Sequence, residues 1–229
     1  MGGANRVDVY IEAGAKRAFA GALDWPGWSR SGRDEQGALE ALAEYRSRYA
    51  AALRGSRLGF TAPPNASAFR VKERLKGNAT TAFGAPGIPP KADGRPVDDA
   101  DLRRFERILR ASWRTFDRTV ENAAGRPLTK GPRGGGRDLK KIVEHVRGAD
   151  EGYLRALGAK DGGTKSRDPK AGLSEMRKAI LDALPLAASG AFGRTGPRGG
   201  VRWTVRYYVR RSAWHVLDHA WEIEDRTIR

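Results

Sequence analysis

Along the first third of the chain, apolar positions recur first at every second residue and then at a period of 3.6, and the change of period marks the elements. In "VDVYIEAG" (Val7 to Gly14), Val7, Val9 and Ile11 alternate with polar or aromatic neighbours, the pattern of a strand. A turn at Gly14 leads into a second strand, "KRAFAGAL". Pro26-Gly27 in "DWPGWSRSG" is a tight turn, and Trp28 begins a third short strand. From Asp34 onward, Ala38, Leu42, Tyr45, Tyr49 and Leu53 fall on one helical face, with Asp34 as N-cap and Gly55 as the stop. "FRVKERL" (Phe69 to Leu75) reads as a fourth strand. The order is βββαβ, a small sheet with one helix covering a face. Residues 77–97, "GNATTAFGAPGIPPKADGRPV", carry Gly and Pro without periodicity and read as a surface linker.

The remainder predicts four amphipathic helices. The first spans about Asp99 to Ala123, with Leu102, Phe105, Leu109, Trp113, Phe116 and Val120 as its stripe. The second runs from about Asp138 to Leu157 on Leu139, Ile142, Val146, Ala149, Tyr153 and Leu157. The third covers about Ser174 to Ala188 with Met176, Ile180 and Leu184 inward, and Pro185 kinks or ends it. The fourth runs from about Thr204 to Thr227 on Val209, Ala213, Val216, Leu217 and Ala220. Four such helices are the signature of a bundle. The expected fold class is therefore α+β in two domains: a small βββαβ unit over residues 1–76, the linker 77–97, and a four-helix bundle over residues 98–229.

Composition narrows the chemistry. The 229 residues contain no Cys, which excludes disulfides, thiolate nucleophiles and zinc–sulfur sites. No apolar run reaches the length of a membrane span and "MGGANRVDVY" lacks the apolar core of a signal peptide, so the expected location is cytoplasmic. The net charge of +16 is spread along the chain, 15 Lys/Arg against 9 Asp/Glu in residues 1–97 and 28 against 18 in residues 98–229. It meets the charge criterion for a nucleic-acid binder and equally suits a generally cationic surface or an anionic small substrate. "GPRGG" occurs at 131–135 and again at 196–200, each time before a histidine-bearing helix. It is either a recurring flexible turn or an anion cradle in which backbone N–H groups and a helix N-terminus join Arg133 or Arg198. "KGPRGGGRD" lacks the final Lys-Ser/Thr of a Walker A loop.

The chain has three histidines, and all sit on core-facing stretches of helix. His145 lies beside the inward stripe of the second helix, while His215 and His219 in "SAWHVLDHAWEIEDR" flank that of the fourth, one turn apart. Each buried neutral imidazole needs a partner for its acceptor nitrogen. A divalent metal satisfies three at once, and three protein nitrogens leave positions open as catalytic sites do. Imidazole suits Zn, Ni, Cu and Fe(II) alike.

The helix order, with His145 on the second helix and "HVLDH" on the last, resembles the DinB superfamily (DinB/YfiT-like metalloenzymes) over about residues 98–229. The resemblance implies a four-helix bundle whose metal is held by a lone ligand matching His145 and a pair matching His215 and His219. It implies a metal-binding protein, either without assigned reaction or acting as a thiol-dependent S-transferase or isomerase that uses a low-molecular-weight thiol. "FAGALDWPGWSRSGRDEQGALEALAEYRSRY" is similar to the small HicB-like antitoxin domain over about residues 7–76, without the DNA-binding tail often found there; only a fold is implied.

With no Cys in the chain, any thiolate comes from a cosubstrate. Tyr208 and Arg211 precede His215 by seven and four residues on one helical face, placed to orient a substrate or neutralise its carboxylate, or else to serve as packing and a solvated charge. Asp218, Glu222 and Asp150 are candidates to fix an imidazole tautomer. Trp203, Trp214 and Trp221 crowd the last segment, as core or as stacking surface. Two functions are expected from this pattern. One is a metal-dependent transferase or hydrolase acting on a small thiol-bearing or anionic compound, with Zn, Ni or Fe(II) and a low-molecular-weight thiol as cosubstrate. The other is a non-catalytic nucleic-acid- or protein-binding module with a structural or vestigial metal. The N-terminal unit could gate the site, dock a partner or join two chains as a homodimer.

Overall fold

The computed structural model describes residues 6–130, 136–159 and 168–228. Strands β1 (Val7–Ala13), β2 (Ala18–Ala22), β3 (Ser29–Gly32) and β4 (Phe69–Lys76) form one sheet in the order β3-β2-β1-β4. The β1–β2 and β2–β3 pairs are antiparallel, while β4 lies parallel to β1 with a register shift between Val9 and Tyr10. Burial departs from simple alternation in β1, where Tyr10 and Glu12 are as buried as Val9 and Ile11, because both faces of this central strand are covered. Tyr10 lies flat over Gly21 on β2: a Cβ there would fall 2.4 Å from the Tyr10 Cε1. The Pro26-Gly27 turn is also a packing element. Gly27 has φ +96°, and a Cβ on it would approach Ala213 and Leu217 of the last helix to 3.1 Å.

The periodic run after Asp34 forms two helices, α1 (Glu35–Glu44) and α2 (Arg46–Ala52), rather than one. Asp34 caps the first through the Gly37 N–H at 2.8 Å. At the break, Tyr45 leaves helical geometry and the Ala43 carbonyl accepts a hydrogen bond from the Arg46 guanidinium. The Tyr45 ring meets Trp221 edge-on at 5.0 Å, so a tertiary contact accompanies the bend. Residues 77–97 carry a short helix, α3 (Ala79–Phe83), opened by an Asn78–Thr81 capping box, and a 3-10 turn at Lys91–Gly94. Both ends of this stretch are pinned by buried charge. The Glu12 carboxylate accepts from Thr81 Oγ1 and the Gly87 and Ile88 N–H groups, and Asp93 pairs with Arg210.

Four long helices follow: α4 (Asp99–Ala123), α5 (Leu139–Leu157), α6 (Pro169–Ala188) and α7 (Val205–Arg226). Asp98, Asp138 and Thr204 cap α4, α5 and α7 where the sequence places their starts. α6 begins at Pro169, five residues before the expected start at Ser174, because Asp168 caps it through the Ala171 N–H. Pro185 falls in its last turn and the helix continues to Ala188. The four helices share a hydrophobic cluster built on Ile108, Phe116, Ile142, Met176, Ile180, Val209 and Val216. A second cluster joins the sheet and α1 to Leu217 and Trp221. α7 therefore serves both, and 17 of its 22 residues are buried. A helix enclosed this fully must find partners for every polar side chain it carries, and α7 carries Arg210, Arg211, His215, His219 and Arg226. No helix among the described residues is long and apolar enough to cross a membrane.

Candidate metal centre

α5 packs against α7, and the three histidines meet in the seam. Each offers one ring nitrogen, and the three nitrogens lie within 4.8 Å of one another. His145 Nε2 and His215 Nε2 are 3.2 Å apart. Two metal–nitrogen bonds of about 2.0–2.1 Å at a tetrahedral angle separate their nitrogens by roughly 3.3 Å, so this pair is already spaced for a shared ion. The ring centroids form a near-equilateral triangle, with sides of 5.1, 4.9 and 4.6 Å. His215 and His219 are buried, while His145 is half-buried.

The protonation states suit ligation. Burial pushes the His145 imidazolium pKa down to about 4 and holds that of His215 well below the ordinary histidine value, with the charge of His219 as the next cause in both. Both rings are thus neutral near pH 7, the form that binds metal. His219 Nδ1 lies 2.7 Å from Glu222 Oε2. That hydrogen bond, reinforced by Arg226, draws Glu222 down to about 2, so an ionised carboxylate accepts the Nδ1–H and Nε2 is the nitrogen left for an ion. His215 Nδ1 is buried without a hydrogen-bond partner. The donor set, two nitrogens at ligand spacing and a third fixed in the ligating tautomer, fits a divalent ion.

Glu222 is itself held. Arg226 donates to it at 2.5 Å and spends its other N–H groups on the carbonyls of Thr129, before α5, and Arg137, at the α5 entrance. Glu222 is expected from the sequence, and Arg226 is not. The signal was present as a His–Glu–Arg run at i, i+3, i+7 on one helix face. Asp218 points to the other side of α7 and pairs with Arg30 at 2.6 Å. Asp150 is fully buried and accepts from Ser212 Oγ at 3.2 Å instead of bonding an imidazole.

Tyr208 sits in the helical core, where burial, helped by the nearby Asp150 carboxylate, holds the phenol pKa well above its ordinary value. Arg211 lies nearer the histidines: its guanidinium carbon is 4.6 Å from the Trp214 ring centroid and 5.3 Å from that of Tyr153, whose ring in turn meets His215 edge-on at 5.7 Å. Trp203 stacks near Tyr153 at 5.1 Å, whereas Trp221 belongs to the sheet-side core. Tyr153 was expected only as packing. Arg133 lies outside the described residues. Arg198 is exposed on a hairpin turn whose Gly196 and Gly199 N–H groups donate to Gly200 and Gly196 carbonyls, so two amides of the proposed cradle are used internally. A cleft of 720 Å³ between α4 and α6 lies apart from the histidines, and its Arg110, Arg177 and Lys178 are already paired with Glu106, Asp117 and Asp182.

No family model matches the chain, and no curated protein or solved structure matches it.

Proposed function

We propose that the protein is a divalent-metal-binding enzyme of the DinB type, a transferase or hydrolase acting on a small thiol-bearing or anionic compound. The observation that carries this reading is the convergence of His145, His215 and His219, with His219 held in its ligating tautomer by Glu222. The resemblance in helix order and ligand order supports it. When bound, the metal supplies a nucleophile near neutral pH by acidifying a thiol or water. The chain's own residues do the rest. His145, His215 and His219 hold the ion, Glu222 and Arg226 orient His219, and the rings of Tyr153, Trp203 and Trp214 exclude bulk water from one side of the site. Zn, Ni and Fe(II) all suit three imidazoles, and a low-molecular-weight thiol is the fitting cosubstrate for a chain without Cys.

A second reading, nucleic-acid binding through positive charge, draws on the exposed cations Arg70, Lys72, Arg74 and Lys76 along the edge strand β4. Two of the four are engaged, Arg70 with Asp8 and Arg74 with Glu35, and charged side chains on an edge strand also guard it against pairing with other chains. The observations favour the metalloenzyme.

The deciding experiment is metal analysis of untagged protein after reconstitution with Zn, Ni or Fe(II). About one equivalent is expected, lost in His215→Ala; less than about one-tenth equivalent of any metal would overturn the reading.

A further inference from the structure

Arg211 is the one cation of α7 whose charge the fold leaves unanswered. It is 8% exposed, and Nη1 is buried without a hydrogen-bond partner. Its neighbours on the same helix show the contrast. Arg206 bonds Asp101 and two carbonyls, Arg210 bonds Asp93 and two carbonyls, and Arg226 bonds Glu222 and two carbonyls. Among the described residues, the Arg211 guanidinium has no carboxylate or carbonyl acceptor. It rests against two aromatic rings, Trp214 and Tyr153. Ring faces stabilise a cation but accept none of its in-plane N–H bonds, and a buried charged donor left unmade is costly. Trp214, whose ring Arg211 rests against, and His215, one turn further along α7, each carry an orphaned buried nitrogen, Nε1 and Nδ1. Once His215 Nε2 faces an ion, its Nδ1 carries the hydrogen, so both are donors too. Buried donors gathered without an acceptor call for a ligand that only accepts.

We propose that Arg211 is the oxyanion subsite of the metal centre, binding a carboxylate or phosphate group of the substrate in the plane of its guanidinium. The inference rests on the metalloenzyme reading and gives its substrate a class: a small compound with an anionic group held by Arg211 and a thiol or scissile group held toward the histidines. The planar guanidinium, with the Trp214 and Tyr153 rings against it and Nη1 without an acceptor, is suited to two-point contact with an oxyanion, which a lysine ammonium does not reproduce. Arg211 stands one helical turn before His215, so the anion would lie beside the ion without displacing a ligand.

The test is isothermal titration calorimetry of the full-length protein, metal-free and zinc-loaded, at constant ionic strength, with sodium acetate and potassium phosphate as separate probes and chloride as control. Saturable binding of one or both is expected. The arm that binds more tightly identifies the headgroup. Arg211→Gln should weaken it at least tenfold, and Arg211→Lys should fall between. Zinc stoichiometry should stay unchanged in both variants. Should Arg211→Gln not fold, Arg211→Lys decides alone, with at least a threefold loss expected. Wild-type protein binding neither probe better than chloride, or variants binding as well as wild type, would overturn the subsite. Anion binding that persists in protein unable to take zinc would sink the metal reading alone and leave the subsite standing.

Discussion

His219 gives its Nδ1 hydrogen to Glu222, one turn further along α7, at 2.7 Å. The pair sets the site's chemistry. The hydrogen bond chooses which nitrogen of His219 faces His145 and His215, and Arg226, anchored to two backbone carbonyls outside α7, keeps Glu222 from swinging away.

Replacing Glu222 by Ala should therefore weaken zinc binding by about 10–100-fold while leaving all three ligands in place. Glu222→Gln should lose less, because its amide oxygen still accepts from Nδ1. Competition against a chromophoric chelator at pH 7 reads both values; equal affinities for wild type and Glu222→Ala would refute the role of the pair.

Zinc should raise the thermal midpoint of the wild-type protein, since a ligand that binds only the folded state stabilises it by roughly 2.7 kcal/mol at one hundred times its Kd. His145→Ala and His215→Ala should each lose that increment. Calorimetric scans with zinc and with chelator distinguish the loss of metal from any change in the metal-free protein.

Asp150 gives a pH prediction of defined sign. Burial raises its pKa from an ordinary 3.8 to about 7 in the folded chain. Its contribution to stability is fully present below pH 3.8 and is lost as pH rises through 7. His145 acts in the opposite sense: its folded pKa near 4 lies below the ordinary 6.5, so its contribution is present above 6.5 and lost as pH falls toward 4. Comparing Asp150→Asn with wild type, both metal-free, isolates the first effect. The stability of the variant relative to wild type should climb between pH 4 and 7 and level off above; a difference independent of pH would show that Asp150 ionises as readily folded as unfolded.

Asp93→Ala should cost about 3–5 kcal/mol in urea unfolding, the range for stripping one partner from a buried ion pair. Arg210 and Asp93 have side-chain exposures of 7% and 2%, and Arg210 also holds the carbonyls of Ala22 and Leu23. The pair ties residues 77–97 and β2 to α7. A loss under 1 kcal/mol would mean those ties are redundant.

Much of this architecture was legible as pattern. Asp98, Asp138 and Thr204 announced their helices because capping is a local bond, made within three residues of the cap. The strands and the Pro26-Gly27 turn followed from period and from glycine. Tyr45 could not be read as a break, since the bend coincides with contacts to Trp221 and Arg30 from distant parts of the chain. Residues 77–97 looked structureless because what orders them, Glu12 and Arg210, lies outside the stretch.

The sequence by itself determined that three histidines sit on core-facing helical positions, that two share a face one turn apart, and that no thiolate competes with them. These are consequences of helical period and composition. Only the tertiary structure decided that α5 sets His145 Nε2 3.2 Å from His215, that Glu222 rather than Asp218 or Asp150 reaches an imidazole, and that Arg211 alone among the arginines of α7 lacks an acceptor. Periodicity assigns a residue to a face; which group it meets there is fixed by the packing of a second element, and that depends on long-range contacts no local pattern encodes.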